Sequence, residues 1–164
     1  MGKARGKGKC KMVTIEEVKE EARAVATDRD LGDVANFYTK GIVRTGEGSY
    51  CISRILIDAG SVVNLMTIHL PRVIGAKLRK AGGMIIRTGT TALARIAYCA
   101  DERITIAGVS CDLPIYALPE EYKPTYPLLL SRHWLQAVKA KGDYASGHYY
   151  IMHQQGTRVR IPRD

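Results

Sequence analysis

The chain has 164 residues, 46% of them hydrophobic, and a formal net charge of +9 at pH 7. One domain around a single core suits that length, and the apolar share is that of an ordinary globular chain, which excludes collagen-like and wholly disordered classes. No run approaches the ~18 apolar residues of a membrane-spanning helix. No charged-then-apolar leader opens the chain, and its four cysteines (Cys10, Cys51, Cys99, Cys111) form no Cys-x-x-Cys pair. A reduced intracellular setting, cytoplasmic, with free thiols and no membrane partner is the expectation.

Charge is uneven along the chain. Five of the nine net positive charges fall in residues 1–12, on Lys3, Arg5, Lys7, Lys9 and Lys11 with no acid among them. Small residues alternate with these bases, so residues 1–13 are expected to be a disordered basic tail. The tail has the charge to touch nucleic-acid phosphates. No aromatic residue interleaves its bases to stack on nucleobases, so the preferred reading is a solvated linker. Residues 14–37 follow as helix and linker. Thr14 with Glu17 makes a capping box, and Ile15, Val18, Ala22 and Val25 share one helical face, which predicts a helix from about Ile15 to Ala26. Gly32 is the expected breaker.

From Tyr38 the texture becomes strand. Gly41–Arg44 and Cys51–Ile57 flank the glycine-rich connection Thr45–Ser49 and predict a hairpin. The stretch from Leu65 to about Val73 is expected to hold a short helical turn, with Pro71 inside it. Gly82-Gly83 opens a strand Met84–Arg87, which turns at Thr88–Thr91 and returns from Ala92 to about Ala100. Arg103–Ala107 and Val109–Ala117 predict a further hairpin by their period-two alternation. Leu118–Pro127 is a loop punctuated by prolines. Leu128–Leu130 reads as a short buried strand, Arg132 to about Val138 as a short helix, and the turns at Tyr144–Gly147 and Gln154–Thr157 connect the last strands. Cys51, Cys99 and Cys111 are expected as small buried apolar residues in strands. Few helices, many short strands and no βαβ alternation indicate a mostly β, closed antiparallel barrel.

One segment carries chemistry. Ile55-Leu-Ile57 runs directly into Asp58, followed by Ala59, Gly60 and Ser61. A carboxylate at the end of a buried strand is costly without partners, and a glycine two residues on permits a tight turn and close backbone approach. Taken alone, Asp58 also fits a turn-capping aspartate held by backbone amides. Further on comes Tyr126-Pro-Leu-Leu-Leu-Ser-Arg-His-Trp-Leu135. The four histidines (His69, His133, His148, His153) show no metal-ligand spacing, so no metal and no cofactor are assigned. No Gly-x-Ser-x-Gly elbow and no phosphate-binding glycine loop are present.

These two segments, in this order, resemble the paired signatures of retropepsin-like aspartic proteases from long-terminal-repeat retrotransposon polyproteins. The resemblance covers roughly Tyr38 to Ile161 and makes residues 38–164 the protease-like domain, with the short C-terminal helix of that fold and an extra helix before it. It implies that Asp58 is catalytic in an active-site turn of Ala59, Gly60 and Ser61. It also implies that the hairpin through Ile86, Thr88, Gly89 and Thr90 is a flap over a cleft lined by Leu129 and Leu130. Only Asp58 sits in such a motif, so the second carboxylate of the pair must come from a second copy in a C2 homodimer acting on a polypeptide. Arg132 falls on the closing helix, where some relatives pair it with an acid after the glycine. Here Val62, Val63 and Asn64 stand in those places, and no such pair is predicted. Ala59 replaces the usual Ser or Thr and Ser131 the usual glycine. These departures carry the rival reading of a catalytically inactive retropepsin-like remnant or protein-interaction module.

Overall fold

A computed structural model describes residues 36–87 and 93–164. The expected tail, the helix over 15–26 and most of its linker lie outside the described residues, as do Thr88, Gly89 and Thr90. No helix among the described residues is long and apolar enough to cross a membrane.

The fold begins with a hairpin of β1 (Phe37–Thr45) and β2 (Gly48–Ile57). Their register slips between Thr39 and Gly41, and the extra residue on β2 puts Arg54 at a φ of 54°. Such a bulge sharpens the local twist, which a strand needs to bend round a small barrel. β3 (Leu65–Met66) and the helix α1 (His69–Ile74) follow. Pro71 is tolerated there because it falls in the first helical turn, where backbone N–H groups have no intrahelical partner. β4 (Arg79–Arg87), β5 (Leu93–Ile106), β6 (Val109–Ala117) and β7 (Leu128–Leu130) complete the sheet. The strand order is β1-β2-β7-β3-β6-β5-β4, and a further β1–β5 pairing joins the ends. Six strands therefore close into a barrel, with β4 held outside the ring by β5. The closed, mostly antiparallel barrel expected from the sequence is the observed one. Gly41 stands at the closing seam, where a Cβ would lie 2.7 Å from Ile106 Cγ1 and 2.9 Å from the Thr105 carbonyl. Only glycine lets β1 approach β5 so closely.

Three expectations are corrected. Arg103–Ala107 is not a separate strand, because β5 runs unbroken for 14 residues and serves both predicted hairpins. Asp101-Glu-Arg103 reads as a polar interruption, yet Asp101 and Arg103 face outward to pair with Arg79 and Asp112 at 2.9 Å each, while Glu102 turns inward at 3% exposure. Cys99 is buried, but Cys51 is exposed and Cys111 only partly covered, because alternation on β2 sends position 51 outward. Gly82-Gly83 does not open β4 but forms a bulge inside it, between Lys80 and Met84.

The main core fills the barrel with Val43, Ile55, Ile104, Ile106, Ile115, Leu128, Leu130 and Trp134, all fully buried. Helix α2 (Arg132–Ala137) follows β7 and supplies that tryptophan. A separate three-stranded sheet, in the order β10-β9-β8, closes the chain with β8 (Lys141–Asp143), β9 (His148–Met152) and β10 (Arg158–Arg160).

Candidate active site

The aliphatic run of β2 delivers Asp58 to the surface. Ile55, Leu56 and Ile57 are 0%, 8% and 5% exposed, while Asp58 is half-buried and Ala59 and Gly60 are exposed. β2 runs parallel to β7 with Leu56 opposite Leu129 and Ile57 opposite Leu130. The ladder continues one step further, as the Asp58 N–H donates to the Leu130 carbonyl at 3.0 Å. The turn then folds back on its own carboxylate. Gly60 N–H donates to Asp58 Oδ1 at 2.8 Å, and Ser61 N–H donates to the Asp58 carbonyl at 3.2 Å. A Cβ at position 60 would stand 3.1 Å from Asp58 Oδ1, so a side chain there would crowd the carboxylate. Ser61 Oγ donates to the Val63 carbonyl at 2.9 Å and fixes the exit of the turn.

The second signature holds this turn from beneath. β7 lies between β2 and β3, antiparallel to β3. Its continuation, Ser131-Arg132, grips the turn at three points. Arg132 N–H donates to the Ser61 carbonyl at 2.9 Å. The Arg132 guanidinium donates through Nε and Nη2 to the Ala59 carbonyl, both at 3.1 Å. Ser131 donates through its backbone N–H and its Oγ to Asn64 Oδ1, both at 2.9 Å. Asn64 is 1% exposed and also donates from Nδ2 to the Pro114 carbonyl at 3.2 Å. The absent acidic partner of Arg132 is thus replaced by a backbone carbonyl. Sequence reasoning did not assign Asn64 a role. The signal was there, since a buried amide inside the apolar run Val62–Met66 must have its polar atoms satisfied.

A second apolar cluster lies apart from the main core. Leu56, Leu65, Ile96, Leu118 and Leu129 form it, with Met84, Ile86, Tyr38, Tyr116, Tyr122 and Tyr126 packed against them. Ile86 of the β4–β5 hairpin and Leu129 of β7 therefore meet in one cluster. Leu130 does not join them, because adjacent strand residues point to opposite faces and its side chain is wholly buried in the main core. Burial, followed by the nearby Asp58 charge, raises the Tyr126 phenol above its ordinary range. Tyr126 packs against the apolar cluster within electrostatic reach of Asp58, a neighbour its sequence position did not suggest. Among the described residues no group of three His, Cys, Asp or Glu side chains comes together to hold a metal ion.

This barrel, with one aspartate-bearing turn anchored by β7 and the residues that follow it, is the architecture of the retropepsin fold. The structure matches the crystal structure of the retroviral protease-like domain of Ddi1 from Leishmania major with a TM-score of 0.52. The match covers 78% of this chain and 94% of that one, at 11% sequence identity. The likeness is one of fold. No family model matches the sequence, and no curated protein matches it.

Proposed function

We propose that the chain is an aspartic endopeptidase that acts as a C2 homodimer, with the two Asp58 carboxylates facing each other on the two-fold axis. The observation that carries this reading is the Asp58 turn itself. A carboxylate at the end of a buried strand reaches the surface with Oδ1 accepting a backbone N–H, beside an apolar cluster suited to side chains of an extended peptide. Two carboxylates about 3 Å apart cannot both ionise, so they share one proton. The ionised member takes a proton from a bridging water, whose oxygen attacks the peptide carbonyl carbon. The protonated member gives its proton to the carbonyl oxygen. Collapse of the tetrahedral intermediate then returns a proton to the departing nitrogen. The resemblance to retrotransposon signatures makes a retroelement polyprotein the proposed substrate class.

A second reading, a retropepsin-like binding module without activity, is favoured by Ala59. The residue after the aspartate is exposed and has no hydroxyl, so a hydrogen bond between the two subunit turns is missing twice in a symmetric dimer. Each such bond is worth about 0.5–1.5 kcal/mol, enough together to weaken a dimer about ten-fold or more.

Cleavage of a mixed peptide library, followed between about pH 4 and 7, separates the two. The endopeptidase reading expects cleavage that disappears in Asp58→Asn. An Ala59→Thr variant is expected to cleave faster at low protein concentration. A native chain that is silent beside an active Ala59→Thr variant marks a decayed protease. Silence in both, from a folded dimer, favours an inactive remnant or interaction module over an enzyme.

A further inference from the structure

The C-terminal sheet has two unlike faces. Residues directly opposite each other on neighbouring antiparallel strands share a face. Gly142, Tyr149, Ile151 and Val159 occupy one face, and the last three pack with the main core. The other face carries the row Lys141–Tyr150–Arg160, formed by the pairings Tyr150↔Arg160 and Lys141↔Tyr150. Arg158 and Met152 form the next row on one side, Asp143 and His148 on the other. None of these outward residues belongs to either apolar cluster. Lys141, Arg158 and Arg160 are exposed and Tyr150 is half-buried. Among the described residues the two ion pairs are Arg79–Asp101 and Arg103–Asp112, so none engages these three cations. Asp143, the one acid on the face, is turned to its own loop, where Oδ1 accepts from the Ala145 and Ser146 N–H groups.

We propose that this face is a binding surface for single-stranded nucleic acid, with Tyr150 as the stacking platform and Lys141, Arg158 and Arg160 as phosphate contacts. Neighbouring strands lie about 4.8 Å apart, so the two cations of the central row flank the ring at the distance of adjacent strands. Exposed cations without an acidic partner among the described residues, set beside an aromatic ring on one sheet face, are what a single strand requires. Its phosphates need positive charge, and its splayed bases need a π-face. The basic tail lacks an aromatic residue in its sequence, and the fold supplies one here in space. An acidic polypeptide would use the cations and leave the ring idle. That difference makes Tyr150 the discriminating residue. None of Lys141, Tyr150, Arg158 and Arg160 hydrogen-bonds to the Asp58 turn among the described residues, and the test reads binding rather than cleavage, so the inference is judged independently of proteolysis.

The test is fluorescence anisotropy of the full chain with a labelled oligothymidylate, across a salt series, with circular dichroism to check folding of each variant. Tyr150→Ala is expected to weaken binding about ten-fold or more, and Tyr150→Phe to bind as the native chain does. Replacing Arg158 and Arg160 together by Gln is expected to flatten the slope of log affinity against log salt by about 1.4, at about 0.7 per phosphate contact on a single strand. A folded Tyr150→Ala variant that binds as tightly as the native chain overturns the proposal. So does binding that vanishes on deleting residues 1–12 and ignores the sheet variants, which assigns it to the tail. Poly-glutamate competing as well as the oligonucleotide in the native chain overturns it in favour of an acidic polypeptide.

Discussion

Ser131 stands where the resembling family carries glycine, and its surroundings show why a larger residue fits. It is fully buried in an extended conformation, with φ −92° and ψ −175°, which any residue adopts. Its Oγ caps α2 by accepting from the His133 N–H at 3.1 Å while donating to Asn64 Oδ1 at 2.9 Å. Ser131→Gly, although it restores the family residue, is therefore expected to destabilise the chain by about 1 kcal/mol, measured by urea unfolding, through loss of one buried hydrogen bond and part of a cap. Glu102 is the opposite case. It is 3% exposed, and neither carboxylate oxygen has a hydrogen-bond partner among the described residues. Burial lifts its pKa from 4.5 to about 7. Between those values the folded chain keeps a proton that the unfolded chain has released, so stability falls as pH rises. At about 1.36 kcal/mol per unit, the loss is about 3 kcal/mol, complete above pH 7. Thermal unfolding between about pH 5 and 8 should show a steeper decline for the native chain than for Glu102→Gln. Parallel curves would mean that the Glu102 carboxylate is paired in solution.

Among the elements, the last residues act as a strap across β1 and β2. Thr39, wholly buried, donates through Oγ1 to the Pro162 carbonyl at 2.7 Å. Asp164 N–H donates to the Tyr38 carbonyl at 2.8 Å, and its Oδ2 accepts from the Arg54 N–H at 2.7 Å. That last bond secures the bulged residue with positive φ, and the Arg163 guanidinium lies 4.6 Å from the centre of the Phe37 ring. Removing residues 162–164 is expected to cost about 2–4 kcal/mol, three hydrogen bonds with one buried hydroxyl orphaned. An unchanged urea midpoint would show that the strap adds nothing. The sequence announces elements of this kind unequally. The strand into Asp58, the strand Leu128–Leu130 and the helix from Arg132 were legible because short apolar runs bounded by turn residues are local signals. The unbroken β5 was not, because the outward charges of its middle, Asp101 and Arg103, are paired with Arg79 on β4 and Asp112 on β6, which only register reveals. Neither was the Lys141–Tyr150–Arg160 row, whose members come from three strands. At the site, Asp58 and its turn were legible from the motif. Asn64 as the hub beneath it, and Leu130 facing the core rather than the cleft, depend on which way each side chain points.

At the scale of the whole molecule, charge sets the two proposed binding events against each other. Each chain carries a formal +9, so the proposed homodimer brings together two bodies of like sign. Their repulsion weakens as salt shortens the screening length from about 10 Å at 0.1 M to about 3 Å at 1 M. Dimerisation should therefore tighten with salt, whereas nucleic acid held by phosphate contacts should dissociate. A shared active site adds a second requirement. In the proposed dimer each subunit would supply one of the two carboxylates, so cleavage per chain is expected to fall on dilution below the dimer dissociation constant. Sedimentation velocity and cleavage rate, each followed over a dilution series at about 50 mM and 500 mM salt, read both effects. The expected outcome is a dilution midpoint for activity that coincides with the monomer–dimer midpoint and moves to lower protein concentration in high salt. Full activity per chain in a solution that sediments as monomer would overturn the paired Asp58 mechanism, since a lone Asp58 has no partner with which to share its proton.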